Sequence, residues 1–255
     1  MVHFTRGTVA VLMTLALGLC ACDEEKKDTA EVKPATTASA APTVTAEAPR
    51  RMPEVTLHSA AVTVGLDEMR LTTPSFDQAF QSLLKKFPVS DPDVVIFNVD
   101  RKVKTPVVTK VFYALVDAGA KSIEVRTKPR GIFPDRLVIQ SEKSVGDDLP
   151  GCTYVGVVLD NLGATFWRKQ GGTAKRYTKG MAGPDFSAMH EVMSKEAKSC
   201  TSKVFLFSSS SDIDWGHCYD IAGSVKAADP PYEHIDKLVL LRNDPVPGKP
   251  VKLNQ

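Results

Sequence analysis

The segment VVIFNVDRKVKTPVVTKVFYALVDAGAKSIEV, residues Val94 to Val125, contains a complete strand–helix–strand unit. It opens with a short apolar run, which is typical of a strand that is buried on both faces. Thr105-Pro106 favours a helix start, because proline is well tolerated in the first helical turn, and Gly119 favours its end. Ile123 and Val125 alternate with polar residues, as in a second strand. Such a unit is normally parallel and right-handed.

The elements before this unit complete a pattern that recurs later in the chain. Alternating valines followed by Met69 and Leu71 predict a β-hairpin, and an apolar stripe at helical spacing predicts a helix after Pro74. A shift of 110 residues carries this pattern onto the second half of the chain, with identical residues at Pro74/Pro184, Phe76/Phe186, Lys85/Lys195, Val94/Val204, Phe97/Phe207 and Ala118/Ala228. We therefore expect an α+β fold of two tandem units, each with a small mixed β-sheet and two helices packed on one face.

The N-terminus predicts export and lipid attachment. Arg6 precedes a 13-residue apolar run, Gly7–Leu19, which is shorter than the roughly 20 residues that a membrane-spanning helix needs. The following Leu19-Cys20-Ala21-Cys22 resembles a bacterial lipobox, in which the peptidase cuts before a cysteine that becomes lipidated. We expect lipidation at Cys22, with an ordinary cleaved signal as the alternative.

The predicted organisation has five parts. The stretch after Cys22 is rich in Ala, Thr, Glu, Lys and Pro and has no aromatic residue, which favours a disordered tether. The folded part would then lie in the periplasm beside a bacterial membrane, inner or outer. The expected boundaries are 1–21 for the signal peptide, 22–56 for the tether, 57–145 and 150–245 for the two units, and 246–255 for a tail.

Overall charge excludes one class of partner. The 255 residues include 32 Lys and Arg against 30 Asp and Glu, a formal charge of +2. A nucleic-acid-binding protein normally concentrates positive charge on one face, so we expect no nucleic-acid partner.

The segment Val94–Val125 resembles the periplasmic domain of the ExbD/TolR family of biopolymer-transport proteins. The residues that match the family pattern are Asp100, Val103, Val108 and Gly119, whereas Thr105 stands where an aromatic residue is usual. The second copy keeps the aromatic residue and loses the aspartate at the same spacing, with Ser210, Ile213, Trp215 and Cys218. The resemblance implies the family's periplasmic fold and partners from an envelope transport complex.

One departure from the family argues against a proton-conducting role. Family members carry an N-terminal transmembrane helix with an aspartate, whereas this sequence predicts a lipid anchor. We therefore expect a non-enzymatic envelope interaction module that is accessory to an ExbD/TolR-type transport or energy-transducing complex. The alternatives are binding of cell wall (peptidoglycan) or another envelope polymer and, less favoured, a serine hydrolase.

Catalytic and metal-binding patterns are weak. Ser82 and Lys85 have the S-x-x-K spacing of serine acylases, but the residues between them belong to the apolar stripe. The segment Ser208–His217 contains serine, aspartate and histidine without a nucleophile-elbow motif. The five histidines never pair at ligand spacing, so we predict no metal site, no cofactor and no enzymatic activity.

Two further sets of residues are candidates for structural or binding roles. Cys152 and Cys200 each precede a predicted strand and would bridge if those strands run parallel, with unpaired thiols as the alternative. Cys218 is expected to be a buried thiol. One loop concentrates positive charge that would suit an anionic ligand or partner, with a solvated hairpin extension as the alternative reading, at Arg168, Lys169, Lys175, Arg176 and Lys179.

Overall fold

The structure, a computed structural model, describes residues 52–89, 94–146, 148–180, 183–196, 199–227 and 235–253. Residues 1–51, which include the predicted signal peptide, Cys22 and most of the predicted tether, lie outside these ranges. The helices within the described residues are α1 (Phe76–Leu84), α2 (Thr105–Asp117), α3 (Ser187–Glu196) and α4 (Trp215–Ala227). The strands are β1 (Val55–Leu57), β2 (Ala61–Val64), β3 (Asp67–Arg70), β4 (Val95–Val99), β5 (Ile123–Arg126), β6 (Arg136–Ser141), β7 (Tyr154–Val158), β8 (Ala164–Arg168), β9 (Lys175–Tyr177), β10 (Lys179–Gly180), β11 (Gly183–Pro184), β12 (Val204–Ser209) and β13 (Lys237–Leu240).

One continuous sheet runs through both halves of the chain. Its strand order is β3–β2–β1–β4–β5–β6–β13–β12–β7–β8–β9, and β10 pairs separately with β11. The expectation of two tandem units, each with its own small mixed sheet, is therefore wrong, although the fold is α+β in broad terms. The reason is β6, which the sequence analysis missed. In β6, Ile139 lies opposite Ile123 of β5 in an antiparallel ladder and opposite Leu238 of β13 in a parallel ladder.

On the two sides of β6 the strands follow the same order outward from β6. The two sets run in opposite directions, because β5 is antiparallel to β6 whereas β13 is parallel to it. β1, β4 and β5 pair in parallel in the first half, as β7, β12 and β13 do in the second. Phe97 in β4 and Phe207 in β12, 110 residues apart, each lie between two parallel partners. α2 and α4 begin at Thr105 and Trp215, also 110 residues apart, and each has 13 residues. The repeated element order is thus present within a single sheet.

The helices of both halves share one hydrophobic cluster. Phe97 and Phe207 from the sheet pack in this cluster with Phe112 of α2 and Trp215 of α4, and all four side chains are fully buried. A second cluster lies on the alternate residues of the second-half strands, and therefore on the opposite face of the sheet. It includes Val251 of the C-terminal segment together with Val155, Val157, Trp167, Val204, Leu206, Val239 and Leu241.

Two further observations concern the first strand and the helices. Val55, assigned to the tether by composition, is fully buried in β1, which pairs in parallel with β4. None of the described helices is long and apolar enough to cross a membrane.

Candidate functional site

The two halves meet through reciprocal main-chain hydrogen bonds just before α2 and α4. The Thr105 N–H donates to the Ile213 carbonyl at 2.9 Å, and the Trp215 N–H donates to the Val103 carbonyl at 2.7 Å. Val103 and Ile213, like Thr105 and Trp215, are equivalent positions of the repeat. Equivalent positions of the repeat therefore form the junction between the halves.

A pair of related clefts lies beside this junction. In each, residues that follow two parallel strands of one half face the beginning of the α-helix of the other half. We call the first the basic cleft; it has a volume of about 1100 Å³, and its lining includes Arg101, Lys102, Lys128, Arg130 and His217. We call the second the serine cleft; it has a volume of about 540 Å³, and its lining includes Thr105, Lys110, Tyr113, Ser208 and Asp244.

A buried carboxylate organises the basic cleft. Asp220, on α4, is fully buried, and its two oxygens accept hydrogen bonds from the Arg101 guanidinium at 2.8 and 3.0 Å. Arg101 also donates to the carbonyls of Lys128 at 2.8 Å and Gly216 at 3.0 Å. One arginine therefore ties together the residues that follow β4, the residues that follow β5, and the first turn of α4.

Arg130 is the second cation on the same carboxylate. Its Nε lies 3.3 Å from Asp220 Oδ2, and its guanidinium lies over the rings of Phe133 and Phe186 at 5.4 and 5.6 Å from their centroids. Gly183 leaves room for this arrangement, because a Cβ there would lie 2.7 Å from Arg130 Nη1 and 3.1 Å from His217 Nδ1. Gly183 also has a positive φ of 124°, which favours glycine.

His217 lies in the first turn of α4 beside these arginines. Its Nδ1 is buried and has no hydrogen-bond partner within the described part of the chain. Burial lowers the pKa of His217, and the neighbouring Arg101 and Arg130 lower it further, whereas Asp220 opposes the shift. The imidazole is therefore predominantly neutral near pH 7, because its pKa lies below the ordinary 6.5.

The serine cleft has different chemistry at equivalent positions. The Ser208 hydroxyl donates to Asp244 Oδ1 at 2.8 Å, and desolvation raises the pKa of Asp244 although this hydrogen bond opposes the shift. Lys110 pairs with Asp77 at 2.6 Å, at positions that are largely exposed. Both cavities are thus polar, but only the first concentrates arginine and lysine.

The residues considered for serine catalysis do not lie together in one site. The Ser82 hydroxyl donates to the Gln78 carbonyl one turn earlier in α1, at 2.8 Å. Ser208 lines the serine cleft, whereas His217 lines the basic cleft. No group of three or more His, Cys, Asp and Glu side chains in the described ranges could hold a metal ion.

The five basic residues predicted to form an anion-binding loop make different contacts. Arg168 donates to Glu196 at 2.7 Å and lies over the Tyr154 ring, and Lys175 lies 3.6 Å from the same glutamate. Lys169 Nζ lies 3.4 Å from the Leu149 carbonyl. The remaining two, Arg176 and Lys179, are exposed. Binding of an anionic ligand by this loop stays a prediction.

The structure confirms the predicted disulfide and the predicted buried thiol. β7 and β12 run parallel as neighbours, and Cys152 and Cys200, which precede them, form a disulfide with their Cα atoms 5.6 Å apart. Cys218 is fully buried on α4, and burial raises the pKa of its thiol well above the ordinary value.

The basic cleft cannot be found from local sequence patterns. Arg101 and Asp220 are 119 residues apart in sequence, so no local spacing connects them. One signal was available: Asp220 interrupts the apolar face of a predicted helix, and a carboxylate on such a face needs a buried cation.

No protein-family model, curated protein or solved structure matches this chain.

Proposed function

We propose that this chain is a lipid-anchored envelope interaction module, accessory to an ExbD/TolR-type transport or energy-transducing complex. Cys22 carries the anchor, and the folded part faces the periplasm. The module performs no catalytic step and has no proton-conducting segment. Its partners are the membrane, through the lipid, and proteins of the transport complex.

The observation that carries this proposal is the junction between the halves. Four positions of the family pattern, occupied here by Val103, Thr105, Ile213 and Trp215, pair with one another through reciprocal main-chain hydrogen bonds, although Thr105 stands where the family usually has an aromatic residue. Each half also follows the order hairpin, helix, strand, helix, strand along the chain. A chance match would not be expected to occur twice, at equivalent positions of the two halves. The repeat therefore supports the resemblance to the family.

The alternative functions receive less support. Binding of peptidoglycan or another envelope polymer through the loop cations is weakened because Arg168 and Lys175 already share Glu196. A serine hydrolase is weakened because Ser208 and His217 line different clefts.

Crosslinking in intact cells tests the proposal. The full chain would carry a C-terminal affinity tag, and proteins crosslinked to it would be identified by mass spectrometry. We expect ExbD/TolR-type membrane proteins to be enriched over a tagged lipoprotein of unrelated sequence. Equal recovery with both baits would contradict the assignment to such a complex.

The substitution Cys22→Ala tests lipidation independently of partner binding. We expect the variant to lose its acyl chains by mass spectrometry and to leave the membrane fraction. An acyl chain that persists on the variant would contradict lipidation at Cys22.

A further inference from the structure

The basic cleft carries charges that the fold does not require. Four cations of the basic cleft have uncharged or acidic equivalents in the second half: Arg101 corresponds to Ser211, Lys102 to Asp212 and, through the register of β5 and β13, Lys128 to Asn243 and Arg130 to Pro245. Of these equivalents, Ser211 and Asn243 line the serine cleft. The second half reaches the same strand order without any of these four cations. Their presence in the basic cleft therefore needs a reason other than the architecture.

The buried aspartate leads to the same conclusion. Asp220 corresponds to Lys110, which is largely exposed and pairs with Asp77 on the surface. Placing a carboxylate in the core is costly unless cations surround it, and well-packed apolar residues at such positions often give equal or greater stability. Asp220 instead holds Arg101 and Arg130 in fixed positions at the wall of a cavity.

Two lysines complete the set of donors. Lys102 and Lys128 are exposed at the cleft, and neither side chain makes an ion pair with another described residue. The Lys128 main chain is held by Arg101 through its carbonyl oxygen. Three aspartates also line the cleft, but Asp214 pairs with Lys104 at 2.8 Å, Asp135 with Arg136 at 3.4 Å, and Asp100 accepts the Lys102 backbone N–H at 2.9 Å.

Side chains, rather than the start of α4, would recognise a ligand. The first N–H groups of the helix already donate to protein carbonyls: Trp215 to Val103, Gly216 to Arg101, and His217 to Asp214. Arg130, whose side chain is 26% exposed, and the two lysines approach the cavity from two separate segments. Donors that converge from several directions suit a tetrahedral phosphate, which offers oxygens on all sides, better than a planar carboxylate.

We propose that the basic cleft is a binding site for a phosphate group, with Lys102, Lys128 and Arg130 as its donors and Asp220 as the group that positions Arg130. The phosphate belongs either to a small soluble phosphoester or to an anionic lipid headgroup. This inference goes beyond the proposed function and does not depend on the identity of any envelope complex.

The two tryptophans allow a direct test. The Trp215 indole N–H donates to Thr127 Oγ1 at 2.9 Å beside the basic cleft, whereas the Trp167 indole N–H donates to the Lys249 carbonyl at 3.0 Å elsewhere. The full chain in non-ionic detergent would be titrated with inorganic phosphate while both indole signals are followed by NMR, with Trp167→Phe to assign them. We expect a saturable shift of the Trp215 signal and a constant Trp167 signal.

Matched variants test whether the two lysines of the basic cleft bind the phosphate. We expect Lys102→Ala and Lys128→Ala each to weaken phosphate binding by about tenfold, since each removes one charge-assisted hydrogen bond. Lys86→Ala, which removes another exposed cation, near the end of α1 and away from the basic cleft lining, should leave the affinity unchanged. Thermal melts that match the wild type would show that the lysine variants fold.

The outcomes separate the ligand sources and expose a wrong proposal. A Trp215 shift with inorganic phosphate supports a soluble phosphoester. A shift only with phosphatidylglycerol bicelles, and not with phosphatidylcholine bicelles, supports a lipid headgroup. No saturable Trp215 shift with either probe, or an equal loss of affinity in Lys86→Ala, would overturn the phosphate site while leaving the proposed envelope function untouched.

Discussion

Exchanging Asp220 for asparagine would reveal how strongly one carboxylate organises the basic cleft. The substitution Asp220→Asn keeps the size of the side chain and removes the negative charge that faces Arg101 and Arg130. Asp220 is fully buried and the Arg101 side chain is only 23% exposed, so water can replace the carboxylate only in part. Removing one partner of a buried ion pair costs about 3–5 kcal/mol. We expect the free energy of unfolding to fall by about that amount.

The repeat supplies a matched control at the equivalent helix position. Lys110 of α2 corresponds to Asp220 of α4 and pairs with Asp77 at 2.6 Å, with side chains that are 52% and 65% exposed. An exposed ion pair of this kind contributes about 0–1 kcal/mol, because water solvates both charges. Lys110→Met should therefore lower the free energy of unfolding by less than about 1 kcal/mol.

Urea unfolding followed by far-ultraviolet circular dichroism gives the required free energies. The set comprises the wild type, Asp220→Asn, Arg101→Met, the double variant and Lys110→Met. The double variant should be more stable than the sum of the two single losses implies, with a coupling energy of about 2 kcal/mol. If Asp220→Asn costs no more than Lys110→Met, or if the two single losses simply add, the buried carboxylate does not organise the cleft and the reasoning is wrong.

Three further predictions concern a glycine, a histidine and the disulfide. A Cβ at Gly216 would lie 2.6 Å from Arg101 Nε, so Gly216→Ala should lower the melting temperature, although the helix preference of alanine alone would add about 1 kcal/mol; a higher melting temperature would contradict this reading. Because the pKa of His217 in the folded state lies below 6.5, the unfolded state binds more protons; stability is therefore retained above pH 6.5 and lost as the pH falls towards the folded pKa. His217→Gln should flatten the fall in unfolding free energy as the pH is lowered from about 7 to below 6.5, and an unchanged slope would assign the fall to other groups. Replacing Cys152 and Cys200 by serine opens a link between residues 48 positions apart and should lower the free energy of unfolding by about 4 kcal/mol under non-reducing conditions; a loss below about 1 kcal/mol would refute the loop-closure argument.

Local sequence patterns predicted the elements around the quoted segment well. Pro106 and Gly119 bracket α2, and Gly119 has the positive φ of 109° that makes it suitable just beyond a helix end. The expected Ile123 strand is present as β5. These features succeed because helix ends and buried strands depend on side chains close in sequence.

The joining of the halves could not be predicted in the same way. In β6, Leu137 and Ile139 are buried while Val138 is half exposed, an alternation that favours a strand but does not say which strands it pairs with. Partners on both sides, β5 nearby and β13 about a hundred residues later, are set by tertiary packing. The basic cleft was missed for a related reason, since its arginines and Asp220 come from distant segments.

The position of β6 also restricts how this protein can assemble with copies of itself. Because β6 lies between the two halves, the 11-stranded sheet formed by the described residues ends at β3 on one side and β9 on the other. β3 presents Asp67, Glu68 and Arg70, and β9 presents Lys175 and Arg176, on strands of four and three residues. Short, charged edge strands discourage the addition of further strands. In the described part of the chain, side-chain surfaces are therefore a more favourable route to a larger assembly than addition of strands to β3 or β9.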